Sequence, residues 1–133
     1  MTDWTIARET QLSVSEATAR IEAKTADKGF RVLHTHNVSQ TLREKGFPSP
    51  EYRIVEVCNA KYASEAIAAD PQVGLWMPCP IAVYEHKGAT HVVTARTTMI
   101  PAFFPGAGLE GFAADVERIL VEIIEAALSG SAG

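Results

Sequence analysis

Two cysteines, Cys58 and Cys79, stand at junctions between elements. Cys58-Asn59 closes a β-like run, and Pro78-Cys79-Pro80 opens another. Strand ends and helix starts are where backbone N–H groups and side chains converge on ligands. If Asn59 caps a helix, Cys58 lies just before its N-terminus. Free N–H groups and the helix dipole there stabilise a thiolate. The competing reading is a small buried residue, since free cysteine is among the most buried types. Cys79 lies between two prolines, which remove backbone donors and hold the chain extended. It reads as a rigidly presented thiol facing Cys58, in a redox pair or as a metal ligand, or again as packing.

His34-Thr35-His36 comes next. On a strand, residues i and i+2 share a face, so both imidazoles point the same way and suit a shared metal. With Cys58 and Cys79 they would complete a Cys2His2 set for zinc, although the spacing resembles no zinc finger. Val32 and Val38 are expected on that same face, and the alternative is a polar edge or interface. Glu56 should share a face with Ile54 and Cys58. It is a general base if that face is buried and an ordinary carboxylate if it is open, and the open reading is favoured because unpaired charges are seldom buried. Arg53 and Arg96 can pair with Glu56 and Glu85 or bind an anion. His86 and His91 flank a turn and read as solvated. No G-x-G-x-x-G, P-loop, G-x-S-x-G, C-x-x-C or H-E-x-x-H occurs, which leaves dinucleotide, nucleoside-triphosphate and hydrolase chemistry without support.

The elements that must position these residues follow from periodicity. Residues 3–9 alternate as a first strand. Ser13-Val14-Ser15-Glu16 is a capping box that opens a helix, with Val14, Ala17, Thr18, Ile21 and Thr25 on one stripe and Gly29 at its end. Phe30 to Val38 reads as a strand, and Thr41 to Lys45 as no more than a helical turn. Tyr52 to Cys58 is a third strand. Asn59 caps a helix through Ala69 whose apolar positions are Tyr62, Ala63, Ala66, Ile67 and Ala69, and Asp70-Pro71 stops it. Ile81 to Glu85 and His91 to Thr97 form a hairpin turning near Lys87-Gly88. Met99 to Gly108 is a loop. Leu109 to Leu128 is an amphipathic helix. Hairpins with short links predict an α+β fold, an antiparallel sheet with helices on one face.

The chain has 133 residues, which favours one domain, here residues 1–128, followed by a Ser/Gly/Ala tail at 129–133. Its formal net charge is -4, and no two Lys or Arg are adjacent, so there is no electrostatic footprint for nucleic acid or an anionic membrane. No signal segment and no apolar run of spanning length is present, and a cytoplasmic location is the default expectation. In a reducing cytosol two cysteines are free thiols, although a Cys58–Cys79 disulfide depends only on distance.

The motif order resembles the bacterial and archaeal family known as domain of unknown function 302. Its pattern looks like Cys-Asn-Pro, a short Ala-rich helix, Asp-Pro, Gly-Leu-Leu-Leu-Pro-Cys and Val-Val-Tyr-Glu. The counterparts here are Cys58-Asn59-Ala60, Ala63 with Ala66-Ile67, Asp70-Pro71, Gly74-Leu75-Trp76-Met77-Pro78-Cys79 and Ala82-Val83-Tyr84-Glu85. Upstream, Gly29-Phe30-Arg31-Val32 and Thr41-Leu42-Arg43-Glu44-Lys45 match the family's Gly-Phe and Thr-Leu-Lys-Glu-Lys segments. Ala60 departs from the usual proline, and Asn37 stands where the family often has aspartate and cannot replace its charge. The resemblance implies a TATA-binding-protein-like α+β fold, commonly dimeric, and implies no activity.

The expected function is that of a homodimer binding a small molecule or a protein partner between the sheet and the Met99–Gly108 loop. Clustered Ile100, Phe103 and Phe104 on that loop either lid a pocket or fill an interface. Two alternatives come from other classes. One is a thiol-dependent redox or sulfur-handling protein using Cys58 and Cys79. The other is a metal-binding module using Cys58, Cys79, His34 and His36, with zinc as its metal. The main reading requires no cofactor, no nucleic acid and no membrane, and it leans away from enzymatic activity.

Overall fold

A computed structural model describes residues 4–129. Asp3, where the expected first strand begins, and residues 130–133 of the expected tail lie outside the described residues. Five strands form one antiparallel sheet: β1 (Thr5–Thr10), β2 (Arg31–Asn37), β3 (Tyr52–Cys58), β4 (Cys79–His86) and β5 (Ala89–Ala95). Their spatial order is β1-β5-β4-β3-β2, so β1 and β2 are the edges. The helices are α1 (Val14–Asp27), α2 (Val38–Glu44), α3 (Ala60–Ala69) and α4 (Glu110–Leu128).

The helix starts follow the cap chemistry read from the sequence. Ser13 Oγ accepts from the Glu16 N–H, and the Glu16 carboxylate accepts from the Ser13 N–H. Thr18 and Thr25 on the buried stripe donate their hydroxyls to the Val14 and Ile21 carbonyls, both at 2.7 Å. Back-bonding of this kind removes the cost of burying a hydroxyl, so a stripe containing two threonines still packs against the sheet. α2 is a fuller helix than the expected turn. Its cap is Asn37, whose side chain accepts from the Gln40 N–H, a role that requires no charge.

The main core lies between α1, α4 and one face of the sheet. Ile6, Val55, Val57, Ile81, Val83 and Val92 meet Ile21, Leu120, Ile123 and Ile124 there. The alternation in these strands places Ile54, Glu56, Ala82, Tyr84, His91 and Val93 on the opposite face. α2 differs from the other helices: its Val38, Thr41 and Leu42 border a groove shared with Ile54 and Glu56 of that second face. One expectation about faces fails. The β2–β3 register shifts between Val32 and His34, leaving Leu33 as an extra residue. That bulge sends Val32 toward the core and His34 and His36 to the other face, although strict alternation would keep them together.

Two 3-10 helices, Pro71–Trp76 and Thr97–Phe103, complete the structure. The second occupies much of the expected Met99–Gly108 loop; β4 is longer than expected at both ends, and β5 lies two residues earlier than expected. A smaller apolar cluster of Ala66, Val73, Ile100 and Leu109 ties both 3-10 helices to α3 and α4. Along α3 only Ala66 is fully buried, and Ile67 is 46% exposed. Among the described residues, no helix is long and apolar enough to cross a membrane.

Candidate functional site

Cys58 and Cys79 line one small pit of about 10 Å³ between α3, α4 and the sheet. Their local chemistry differs from the expected reactive thiol. Asn59 Oδ1 accepts from the N–H groups of Lys61 and Tyr62 at 3.0 and 3.1 Å, and Asn59 Nδ2 donates to the Gly29 carbonyl. The asparagine side chain therefore occupies two of the α3 N-terminal donors. The Cys58 thiol instead donates to the Asn59 carbonyl at 3.9 Å. Burial first, and the neighbouring Cys58 second, push the Cys79 thiol up to about 12, so it stays protonated at neutral pH. Both cysteines are free.

The expected Cys2His2 cluster does not assemble. His34 and His36 stand edge to face on β2, with ring centroids 4.3 Å apart, on the face opposite the core where Cys79 packs. His36 Nε2 lies 3.3 Å from Glu56 Oε1, so Glu56 is the carboxylate of an open face rather than a buried base. Among the described residues, no three His, Cys, Asp or Glu side chains are grouped as a metal would require. The expected Arg53–Glu56 pairing is also replaced: Arg53 binds Glu51 at 2.7 Å, and Arg96 binds Glu117 at 3.0 Å. His91 stacks on Tyr84, which stacks on Tyr52, so His91 is part of an aromatic row on the open face.

A cleft larger than this pit lies at the end of the sheet where β4 begins and β5 ends. It measures about 260 Å³. One wall is the end of the first 3-10 helix, with Leu75, Trp76 and Met77. The other wall is the second 3-10 helix, with Thr97, Met99 and Ile100. Trp4 closes one side, and Cys79, Pro80 and Thr94 form the floor. The polar groups around it are bonded within the protein. Thr94 Oγ1 donates to the Pro80 carbonyl, and Thr97 Oγ1 donates to the Ala113 carbonyl. The Arg96 N–H donates to the Trp4 carbonyl. Glu117 accepts from Arg96 Nη1 and from the N–H and hydroxyl of Thr98. Burial alone would raise the Glu117 carboxyl. The Thr98 and Arg96 donors outweigh it and hold the group below the ordinary carboxylate range. An arrangement of this kind can shelter an apolar molecule, and it offers no assembled set of groups for acid–base or nucleophilic catalysis.

Of the three loop residues expected to cover a pocket, Ile100 is buried and lines the cleft from below. Phe103 is 57% exposed and packs on Trp76 with ring centroids 4.7 Å apart. Phe104 packs into the smaller core instead. The sequence reading did not single out Trp4, Leu75, Trp76 and Thr94 as site residues, and it gave Arg96 a different partner. Leu75 is 86% exposed beside Trp76, and a large apolar pair next to a proline-rich strand start was the available signal.

A family model described as "Domain of unknown function DUF302" matches residues 6–127. The chain is also similar to the crystal structure of an uncharacterized conserved DUF302 protein from Bacillus stearothermophilus. The identity is 28% and the TM-score 0.88, with 95% of this chain and 99% of that chain covered. No curated protein matches the chain.

Proposed function

We propose that this chain, which belongs to the DUF302 family, is a binding protein that holds a small, mostly apolar molecule in the cleft between its two 3-10 helices and acts as a homodimer. The cleft itself carries this reading. Its polar neighbours are bonded to one another, so what remains for an occupant is the apolar surface of Trp4, Trp76, Met77, Met99 and Ile100. The volume of about 260 Å³ is just below the ~300–1,000 Å³ of sites for drug-sized ligands. An apolar cavity of roughly 150 Å³ takes benzene. A compact fused-ring molecule therefore suits the space. Support for the dimer comes from the open sheet face, where Ile54, Ala82 and Val93 are only partly covered.

A thiol-redox role gains nothing from Cys79, whose buried thiol is held protonated. The chain's two tryptophans both line the cleft, which makes intrinsic fluorescence a reporter of its occupancy. Titration with indole and with naphthalene should shift or quench that emission saturably at one equivalent per chain. Ala95→Phe, which fills the cleft from an exposed position, should abolish the response without unfolding the protein. An emission that changes only linearly with probe, or equally in Ala95→Phe, would overturn the binding reading. Light scattering coupled to gel filtration tests the dimer: a monomer at micromolar concentration refutes it.

A further inference from the structure

The small pit beside the cleft has a composition that an apolar ligand site does not need. Three sulfur-bearing residues, Cys58, Cys79 and Met77, line a space of about 10 Å³, which is about one probe sphere and enough for a single atom. The rest of its wall includes the rings of Phe30, Tyr62 and Phe112. No carboxylate, imidazole, lysine or arginine lines it.

We propose that this pit is a binding site for a single soft monovalent metal ion, Cu(I), held by the thiolates of Cys58 and Cys79 and the thioether of Met77. Soft thiolate and thioether ligands select Cu(I) among the first-row metals. A structural zinc site takes four tetrahedral ligands, and this pit offers three. Loading is a ligand exchange without electron transfer: the bonds from Cu(I) to its carrier and two S–H bonds break, three Cu–S bonds form (two to thiolates, one to the thioether), and two protons leave to solvent.

An entry route is also present. Cys58 lines a second, open groove with Gly29, Arg31 and Lys61 on the outer side of the pit. Met77 and Cys79 line the cleft on its inner side. The site thus sits in a partition between two solvent-accessible concavities.

The test is anaerobic titration of the reduced protein against the coloured Cu(I)–bicinchoninate complex. The wild type should withdraw one Cu(I) per chain. Cys58→Ser and Cys79→Ser should each weaken this by more than the roughly 10–100-fold cost of losing an outer-shell partner. Met77→Leu, which keeps the apolar volume, should weaken it roughly tenfold, because a neutral thioether is a weaker partner than a thiolate. X-ray absorption on the loaded wild type should show only sulfur around the copper, a readout that stands even if Cys79→Ser does not fold. Failure to withdraw Cu(I), undiminished binding in a folded Cys58→Ser variant, or nitrogen ligands from the surface histidines would each overturn the assignment.

Discussion

Replacing Glu117 probes how the second 3-10 helix is held against α4 and so how the cleft keeps its shape. The Glu117 side chain is only 16% exposed and accepts three donors: Arg96 Nη1 at 3.0 Å, the Thr98 N–H at 3.0 Å and the Thr98 hydroxyl at 2.7 Å. A hydrogen bond to a charged group contributes about 1.5–3 kcal/mol when buried. Full loss of all three does not apply here, because Thr98 is exposed and the Arg96 side chain is 39% exposed, so water can re-engage those donors. Glu117→Ala should therefore cost about 2 kcal/mol, and Glu117→Gln, which keeps an acceptor oxygen but no charge, about 1 kcal/mol. At roughly 3–4 °C per kcal/mol for a domain of this size, the alanine variant should melt about 6–8 °C lower. The pH dependence gives a sharper test. A carboxyl depressed in the folded state contributes stability that is complete above its unfolded value, about 4.3, and lost as pH falls through the folded value. The difference in Tm between wild type and Glu117→Gln should be constant near pH 7 and shrink below about pH 4. A difference that persists undiminished near pH 3 would show that the ionised carboxylate is not what holds the helix, and would refute the reasoning.

Other perturbations test other parts of the structure. Asn59→Ala removes the α3 cap and the bond to Gly29, and should cost about 1–2 kcal/mol in chemical denaturation. With its thiol pushed up to about 12, Cys79 in the native metal-free protein should react with an aromatic disulfide reagent near pH 8 far more slowly than a free thiol, and at full rate in denaturant. Comparable native and denatured rates would contradict its burial. Phe103→Ala should leave global stability within about 0.5 kcal/mol, since Phe103 is an exposed residue, while freeing Trp76 and shifting its emission. Unchanged emission would show that the two rings do not pack in solution.

Much of the scaffold was legible because the informative signals are local. The Ser13–Glu16 box, the Asn59 cap, Asp70-Pro71 and the stripe of α4 each act within a few residues, and all appear where the pattern places them. The family motif singled out Cys58 and Cys79, which the fold brings to one pit. The features that escaped depend on distant pairing. β1 lies against β5 across roughly two-thirds of the chain, which brings Trp4 to the same cleft as Trp76, and no periodicity encodes that meeting. Ile100 looked like a lid residue because its neighbours are Gly and Pro. In the fold, the 3-10 turn points it into Ala66, Val73 and Leu109. The histidine pair was placed on one face correctly, but an inserted residue in β2 decoupled that face from Val32.

That inserted residue has a colloidal consequence. β2 is a sheet edge, and an edge strand offers unpaired backbone groups on which another chain can extend the ladder. Leu33, 52% exposed at the register break, interrupts the regular spacing of those groups and bends the strand. Deleting Leu33 would let β2 pair with β3 without a break and leave a straighter, continuous rim. The shortened protein should then scatter light on refolding at concentrations where the parent stays clear. One surplus leucine would in that case be what limits the sheet to five strands.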